Sequence, residues 1–243
     1  MIDIYYINLD KSIERKEHIE SQLKDVECNV HRFPATNGHM LDISQFDKYN
    51  STKSKKYRKR ELNKGQLGCF SSHYNLWQKC IEINKPILII EDDIIIHTPV
   101  MNNFIESYKK GDLENYECIR LFNNRRRSVT YKQEKKLFGY YLVRYNKGLM
   151  GTQGYYITPR GASKLITESK EWFLPVDIYM DSFWINKVIP YGTLPACVST
   201  QDEFESDIGY EQKNKRSLSH SLKREFYSLI QNFRRISFNI FNR

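Results

Sequence analysis

Three consecutive carboxylates, Glu91, Asp92 and Asp93, follow directly on the apolar run 87–90 (ILII). Hard carboxylate oxygens of this kind hold Mg²⁺ or Mn²⁺, and a cation held there neutralises a diphosphate. The other reading of the triplet is a solvated strand end with a local turn. What precedes it bears on the choice. The run is too apolar for an edge strand, and binding crevices of open α/β sheets lie outside the carboxyl ends of buried strands. Thiol chemistry is less well supported. Cys28, Cys69, Cys80, Cys118 and Cys197 are scattered with no CxxC pair, and read as reduced packing residues.

The elements around the triplet are those of an α/β chain. Residues 2–9 (IDIYYINL) form a β-branched and aromatic run without helical spacing, hence a buried strand. Ser12 stands as an N-cap, and Ile13, His18, Ile19 and Leu23 recur near one helical face. Residues 30–33 make a second strand, closed by Pro34 and the turn residues Asn37 and Gly38. Strand, helix, strand suggests a βαβ unit. Residues 47–60 are polar and basic without apolar periodicity, and read as an exposed loop. From Lys64, Leu67, Phe70, Tyr74, Trp77, Ile81 and Ile83 give an amphipathic helix that Pro86 must end. Further on, 104–108 reads as helical, 118–122 as extended and 125–136 as a second basic loop. Residues 140–145 and 155–158 read as strands, 159–169 and 176–188 as helices, and 193–198 as a last strand.

Length and charge bound the function. The 243 residues, 40% hydrophobic and 28% charged, suit one soluble globular domain with an appendage. The net charge of +9 is concentrated: segment 53–64 carries +6 and segment 213–243 carries +7, which leaves −4 for the rest. A mildly acidic body with two basic attachments argues against a nucleic-acid partner. No stretch has the ~20 apolar residues of a spanning helix, and no basic-then-apolar leader opens the chain. A cytoplasmic protein is expected.

The chemistry-bearing residues fall into ordered blocks. These are Ile7-Asn8-Leu9 with Glu14-Arg15, Phe33-Pro34-Ala35 with Asn37-Gly38, Gly65 through His73 with Trp77, and Ile89 through Asp93. Gly154-Tyr155-Tyr156-Ile157 with Gly161-Ala162, Pro175-Val176-Asp177 and Ser206-Asp207-Ile208 follow. Together, over residues 2–210, they resemble glycosyltransferase family 25, the lipooligosaccharide galactosyltransferase family. The resemblance implies a GT-A type fold, with a central mostly parallel sheet flanked by helices. It implies a UDP-sugar donor (UDP-galactose or UDP-glucose), a lipid-linked glycan acceptor and inversion at the anomeric carbon. Glu91 and Asp93 would be the outer positions of a DxD-like motif for Mn²⁺ or Mg²⁺; glutamate in the first place is common in the family.

Inversion by direct displacement needs a carboxylate to take the acceptor hydroxyl proton. Asp177 and Asp181 are the candidates, four apart on one face of an expected helix; helix-dipole stabilisation is the alternative for Asp177. Asn8, Leu9 and Arg15 follow the first strand, where nucleotide contacts are expected, although Arg15 also suits a surface ion pair. Ala35, Asn37 and Gly38 form a turn that admits a base or ribose closely. Ser72 and His73 join the donor site, with Asp92, on the family match alone. His220 is a candidate third metal ligand or a surface histidine. Gly151, Thr152 and Gly154 would let backbone approach the transferred sugar or serve as turn residues.

The expected domain covers 1–210, and 211–243 is a basic tail. There Leu222, Phe226, Leu229, Ile230, Phe233, Ile236 and Ile240 keep to one helical stripe flanked by Lys223, Arg224, Arg234 and Arg235. That pattern suits an anionic membrane surface, with the protein peripheral on the inner face of the cytoplasmic membrane. The alternative is a terminal helix packing its stripe onto the body. Other readings of the whole are a hexosyltransferase with a protein or different glycan acceptor, or a silent membrane- or polyanion-binding module. The sequence leaves the oligomeric state open.

Overall fold

The first strand, β1 (Asp3–Asn8), buries every second side chain, Ile4, Tyr6 and Asn8, as a strand at a layer boundary does. The computed structural model describes residues 1–123, 129–201 and 218–242, with side chains for all of these except 218–227. The block Ser206-Asp207-Ile208 and the 210/211 boundary lie outside the described residues. Helix α1 (Ile13–Leu23) leads from β1 to β2 (Asn29–Pro34), which pairs parallel with β1. The βαβ unit expected from the sequence is present. Within α1, Ile19 and Leu23 are buried, whereas Ile13 is 62% exposed. At 100° per residue Ile13 stands about 120° around the helix from Ile19, off the buried face.

After two short 3₁₀ turns (Gly38–Met40 and Ile43–Gln45) come α2 (Ser51–Arg58) and the long α3 (Lys64–Ile83). Segment 47–60 is therefore largely helix, not loop. Tertiary contacts stabilise it: Asn50 accepts from the Lys53 amide, Ser54 Oγ donates to the Arg60 carbonyl, and the Tyr57 ring lies 4.6 Å from that of Phe173. Helix α3 opens on an Asn63–Gln66 capping box and ends at Asn84 in the left-handed region. It delivers β3 (Ile87–Glu91), which pairs parallel with β1 on the side opposite β2.

Strand β3 decides where the carboxylates go. Leu88 and Ile90 enter one core with α1 and α4 (Thr98–Lys109), while Ile87 and Ile89 enter the other with α3 and α5 (Pro159–Glu168). All four are fully buried, each stabilising the fold by roughly 1.5–3 kcal/mol. So firmly held a strand fixes the position of its carboxyl end.

The remaining strands are β4 (Ile94–Ile96), β5 (Cys118–Arg120), β6 (Tyr131–Leu137), β7 (Tyr140–Tyr145), β8 (Gly154–Ile157), β9 (Tyr191–Leu194) and β10 (Val198–Thr200). The main sheet has the order β2-β1-β3-β8-β5-β9-β7-β6, and β10 pairs with β4 in a small second sheet. The main sheet is mixed. Pairs β1/β2, β1/β3 and β5/β9 are parallel, and β3/β8, β5/β8, β7/β9 and β6/β7 are antiparallel. The expectation of a mostly parallel sheet is corrected: parallel neighbours need crossover connections, whereas β6 and β7 join through a tight turn at Gly139. Most of 125–136 that is described is likewise not loop but edge strand β6, whose lysines guard an open ladder.

Two further boundaries move. The helix expected over 176–188 is two, α6 (Val176–Asp181) and α7 (Phe183–Asn186). Asn186 Nδ2 donates to the Tyr179 and Met180 carbonyls at the break, and Ser182 Oγ to the Ile178 carbonyl. The last expected strand splits at Pro195, which cannot donate to a ladder, so β9 stays in the main sheet and β10 leaves it. Finally α8 (Leu218–Phe241) forms the expected terminal helix. No helix of the described residues is long and apolar enough to cross a membrane.

Candidate active site

A cleft of about 720 Å³, counted to its solvent mouth, opens beyond the carboxyl ends of β1, β2 and β3. Its floor is the triplet, at the end of β3 and the bend that follows it, and the three acids differ in their partners. Asp92 turns into the body, where its Oδ2 accepts from Asn8 Nδ2 at 2.7 Å and its Oδ1 lies 3.4 Å from Arg15. Glu91 and Asp93 are more open to the cleft, their side chains 26% and 25% exposed against 9% for Asp92. Glu91 Oε1 accepts from Thr152 Oγ1 at 2.5 Å. Asp93 Oδ2 is 3.8 Å from Arg15, and its Oδ1 is buried with no hydrogen-bond partner. Burial, then the charges of Glu91 and Asp92, push the Asp93 carboxyl up to about 7 against the pull of Arg15. Burial also raises Asp92, opposed by Asn8 and Arg15.

One wall is α3 with the turn after β2. Gly38 and Gly68 let the two backbones touch: a Cβ on Gly38 would fall 1.8 Å from the Lys64 carbonyl oxygen, and one on Gly68 2.4 Å from that of Thr36. The close approach expected of a ligand at Gly38 is thus first made by the protein's own helix. Ser72 fastens the joint, its Oγ accepting from the Thr36 amide at 2.9 Å and donating to the Gly68 carbonyl. One turn on, His73 Nδ1 and Trp77 Nε1 both lie 2.9 Å from Tyr155 Oη. The indole can only donate, so the single phenolic proton is best used toward Nδ1. That places the histidine proton on Nε2, which is buried, lacks a hydrogen-bond partner and lies 3.8 Å from Glu91 Oε1.

Behind Glu91 stands the segment between β7 and β8. Asp181, buried at the end of α6, accepts from the amides of Leu149 (3.1 Å) and Met150 (2.9 Å) and pairs with buried Arg120 at 3.5 Å. Arg120 also donates to the Gly151 carbonyl. Asp181 therefore braces the bend that carries Thr152 to Glu91. Asp177, in the first turn of α6, stays partly exposed. Burial, helped by the charges of Glu91, Asp177 and Asp93, raises the Cys69 thiol well above its ordinary value.

Of the residues expected at a site, Leu9, Arg15, Ala35, Asn37, Gly38, Ser72, His73, Glu91, Asp92 and Asp93 line one cleft. Asn8 does not; it is buried as a clamp, accepting from Arg32 and donating to Asp92. Gly154 faces the interior, where a side chain would meet Val198 and Ile90 at 3.1 and 3.4 Å. The His220 side chain lies outside those described. Sequence reasoning missed Thr36, Cys69, Arg120 and Tyr155 as parts of the site. Cys69 was legible as the residue one turn before His73 on the same helix; the pairing of Arg120 with Asp181 had no local signal.

Two outward carboxylates, one with a partnerless buried oxygen, fit a hard divalent cation. Among the described residues no three His, Cys, Asp or Glu side chains make a complete cage. The fit is that of a cation shared between one or two carboxylates and a bound diphosphate.

Against known families, residues 1–180 match the model for glycosyltransferase family 25 (LPS biosynthesis protein). The chain belongs to glycosyltransferase family 25. A family 25 member of Anopheles gambiae is 31% identical over 193 residues, 75% of this chain and 32% of the relative. Procollagen galactosyltransferase 1 of Danio rerio is 29% identical over 187 residues, 73% of this chain and 30% of the relative. The chain thus matches about a third of the length of these relatives. A solved glycosyltransferase involved in the glycosylation of the major capsid of PBCV-1 shares 10% identity at a TM-score of 0.34, over 69% of this chain and 66% of that one. That likeness is too slight to bear on fold or function.

Proposed function

We propose that this family 25 chain is a metal-assisted inverting hexosyltransferase of GT-A type, moving galactose or glucose from a UDP-sugar to a lipooligosaccharide or lipopolysaccharide glycan. The observation that carries the reading is the Glu91/Asp93 pair on the cleft floor with one buried, partnerless oxygen. Mn²⁺ or Mg²⁺ held by Glu91 and Asp93 would act as a Lewis acid on the leaving diphosphate. Arg15 orients Asp93 and adds positive charge beside the diphosphate. His73 offers its Nε2 proton to a phosphate oxygen, held in that tautomer by Tyr155. The turn at Ala35, Asn37 and Gly38 receives the nucleoside, and the first turn of α3 at Gly65 presents the positive end of its dipole to the cleft.

Asp177 is the proposed base. As the acceptor hydroxyl oxygen attacks the anomeric carbon and the bond to the diphosphate breaks, Asp177 takes the hydroxyl proton. Asp181, whose oxygens are engaged by two amides and Arg120, braces the site and leaves the proton transfer to Asp177.

The acceptor has a second reading. Relatives named procollagen galactosyltransferases favour galactose and admit a protein acceptor, while the family's description favours a lipopolysaccharide. The test is UDP release from a panel of UDP-sugars with Mn²⁺, first alone and then with deacylated lipooligosaccharide or collagen peptide. Release from one sugar, stimulated by one acceptor and lost in Asp93→Ala, is expected. Wild-type turnover in Asp93→Ala would sink the metal-site assignment, and no release from any sugar would favour a silent module.

A further inference from the structure

Helix α8 turns its faces to different surroundings. It meets the body through Gln231, Phe238, Asn239 and Asn242. Trp184 Nε1 donates to Gln231 Oε1 at 2.6 Å, the Phe238 ring lies 5.3 Å from that of Phe183, Asn239 Nδ2 donates to the Asn146 carbonyl at 3.1 Å, and Arg144 donates to the Asn242 carbonyl. These positions share one helical face. Leu229, Phe233, Ile236 and Ile240 centre about 150° away at 100° per residue. They are 52–74% exposed. An amphipathic helix ordinarily buries its apolar stripe on the core. Here the polar face is docked and the stripe points outward, opposite to the alternative reading of a terminal helix packing its stripe onto the body.

The second observation concerns charge. Helix α2, carrying most of the other basic segment, lies against α8. Lys55 and Lys56 of α2 are exposed, Lys55 pairing with Glu61 at 2.9 Å, as are Lys59 and Arg60 just after the helix and Arg234 beside Phe233. Two segments remote in sequence thus adjoin: a helix with an exposed apolar strip roughly 17 Å long, from Leu229 to Ile240, and the basic helix that touches it.

We infer that this surface docks on an anionic lipid bilayer, with the four apolar side chains entering the headgroup–acyl boundary and the α2 lysines meeting lipid phosphates. A second copy of the chain fits less well, because a two-fold contact through the strip would bring two basic helices together. Docking would also orient the cleft. Asn146, which holds α8, begins the segment that carries Thr152 to Glu91.

The test is flotation of the full chain with phosphatidylcholine vesicles, with and without 30% phosphatidylglycerol. Bound protein should rise at least about tenfold with the anionic lipid and fall steeply in 0.5 M salt. Phe233→Glu with Ile236→Glu should lower flotation by about tenfold or more at unchanged helical content and thermal midpoint. Lys56→Glu with Lys59→Glu should lower it severalfold. No flotation of the unaltered chain on anionic vesicles would overturn the inference, as would equal flotation of the Phe233/Ile236 variant. A dimer in light scattering that this variant dissolves, with no lipid binding, would replace it with self-association. The lipid dependence of the unaltered chain decides even where a variant fails to fold.

Discussion

Asp181, buried, and Asp93, half-buried, both stand beside a main-chain bend and an arginine, yet their surroundings treat them oppositely. Asp181 has two amide donors at 3.1 and 2.9 Å and a guanidinium at 3.5 Å. Even Gly148 makes room for it, since a side chain there would fall 2.0 Å from the Asp181 carboxyl carbon. Asp93 has Arg15 at 3.8 Å on one oxygen and no hydrogen-bond partner on the other, and two further carboxylates press on it. A carboxylate whose acceptor sites are filled has used its interaction energy on the fold. One left with an unfilled acceptor oxygen is available to a ligand, at a cost to stability.

Substitutions can break that contrast. The largest effect is expected for Asp181→Ala, which strands Arg120 and two amides: a loss of about 3–5 kcal/mol of unfolding free energy in urea. Retained stability with collapsed turnover would instead move Asp181 into the chemistry. Next, Asp93→Asn should lower the kcat/KM of UDP-sugar turnover by roughly 10²–10³-fold with the fold intact.

Smaller effects sharpen the contrast. Tyr155→Phe removes the acceptor for Trp77 and the donor for His73, so a loss of about 1–3 kcal/mol is expected, with a shifted indole N–H resonance. The smallest effect is also the most diagnostic. With its folded value raised to about 7 from an ordinary 3.8, Asp93 favours folding fully only below pH ~4, and its contribution is lost as pH rises through 7. At pH 8 without metal, Asp93→Asn should therefore be more stable than the unaltered chain, and near pH 4 the two should be about equally stable. A variant less stable at pH 8 would mean that Asp93 is a strut like Asp181.

Much of this was legible locally. The ILII run, its acidic end and the 3.6-residue rhythm of α3 are each written in one short stretch, and each element formed where that pattern put it. Helix α2 was not legible. Its sequence, STKSKKYR, has no apolar period, and its stability comes from the Asn50 cap, Phe173 and the Lys53–Glu171 pair at 2.7 Å. Strand β6 was hidden for a similar reason: YKQEKKL is an edge held by backbone bonds to β7, which any side chain permits.

The sequence by itself determined that a buried strand ends in three carboxylates, because side-chain chemistry and period are properties of neighbouring residues. It also determined an amphipathic basic tail. Only tertiary structure decided which of the three acids is engaged by the protein itself, since that depends on Asn8 reaching Asp92 from another strand. Likewise, only packing decided that α8 docks by its polar face and that α2 lies beside it. Those outcomes compare the free energies of contacts between distant segments, and no local pattern encodes such a comparison.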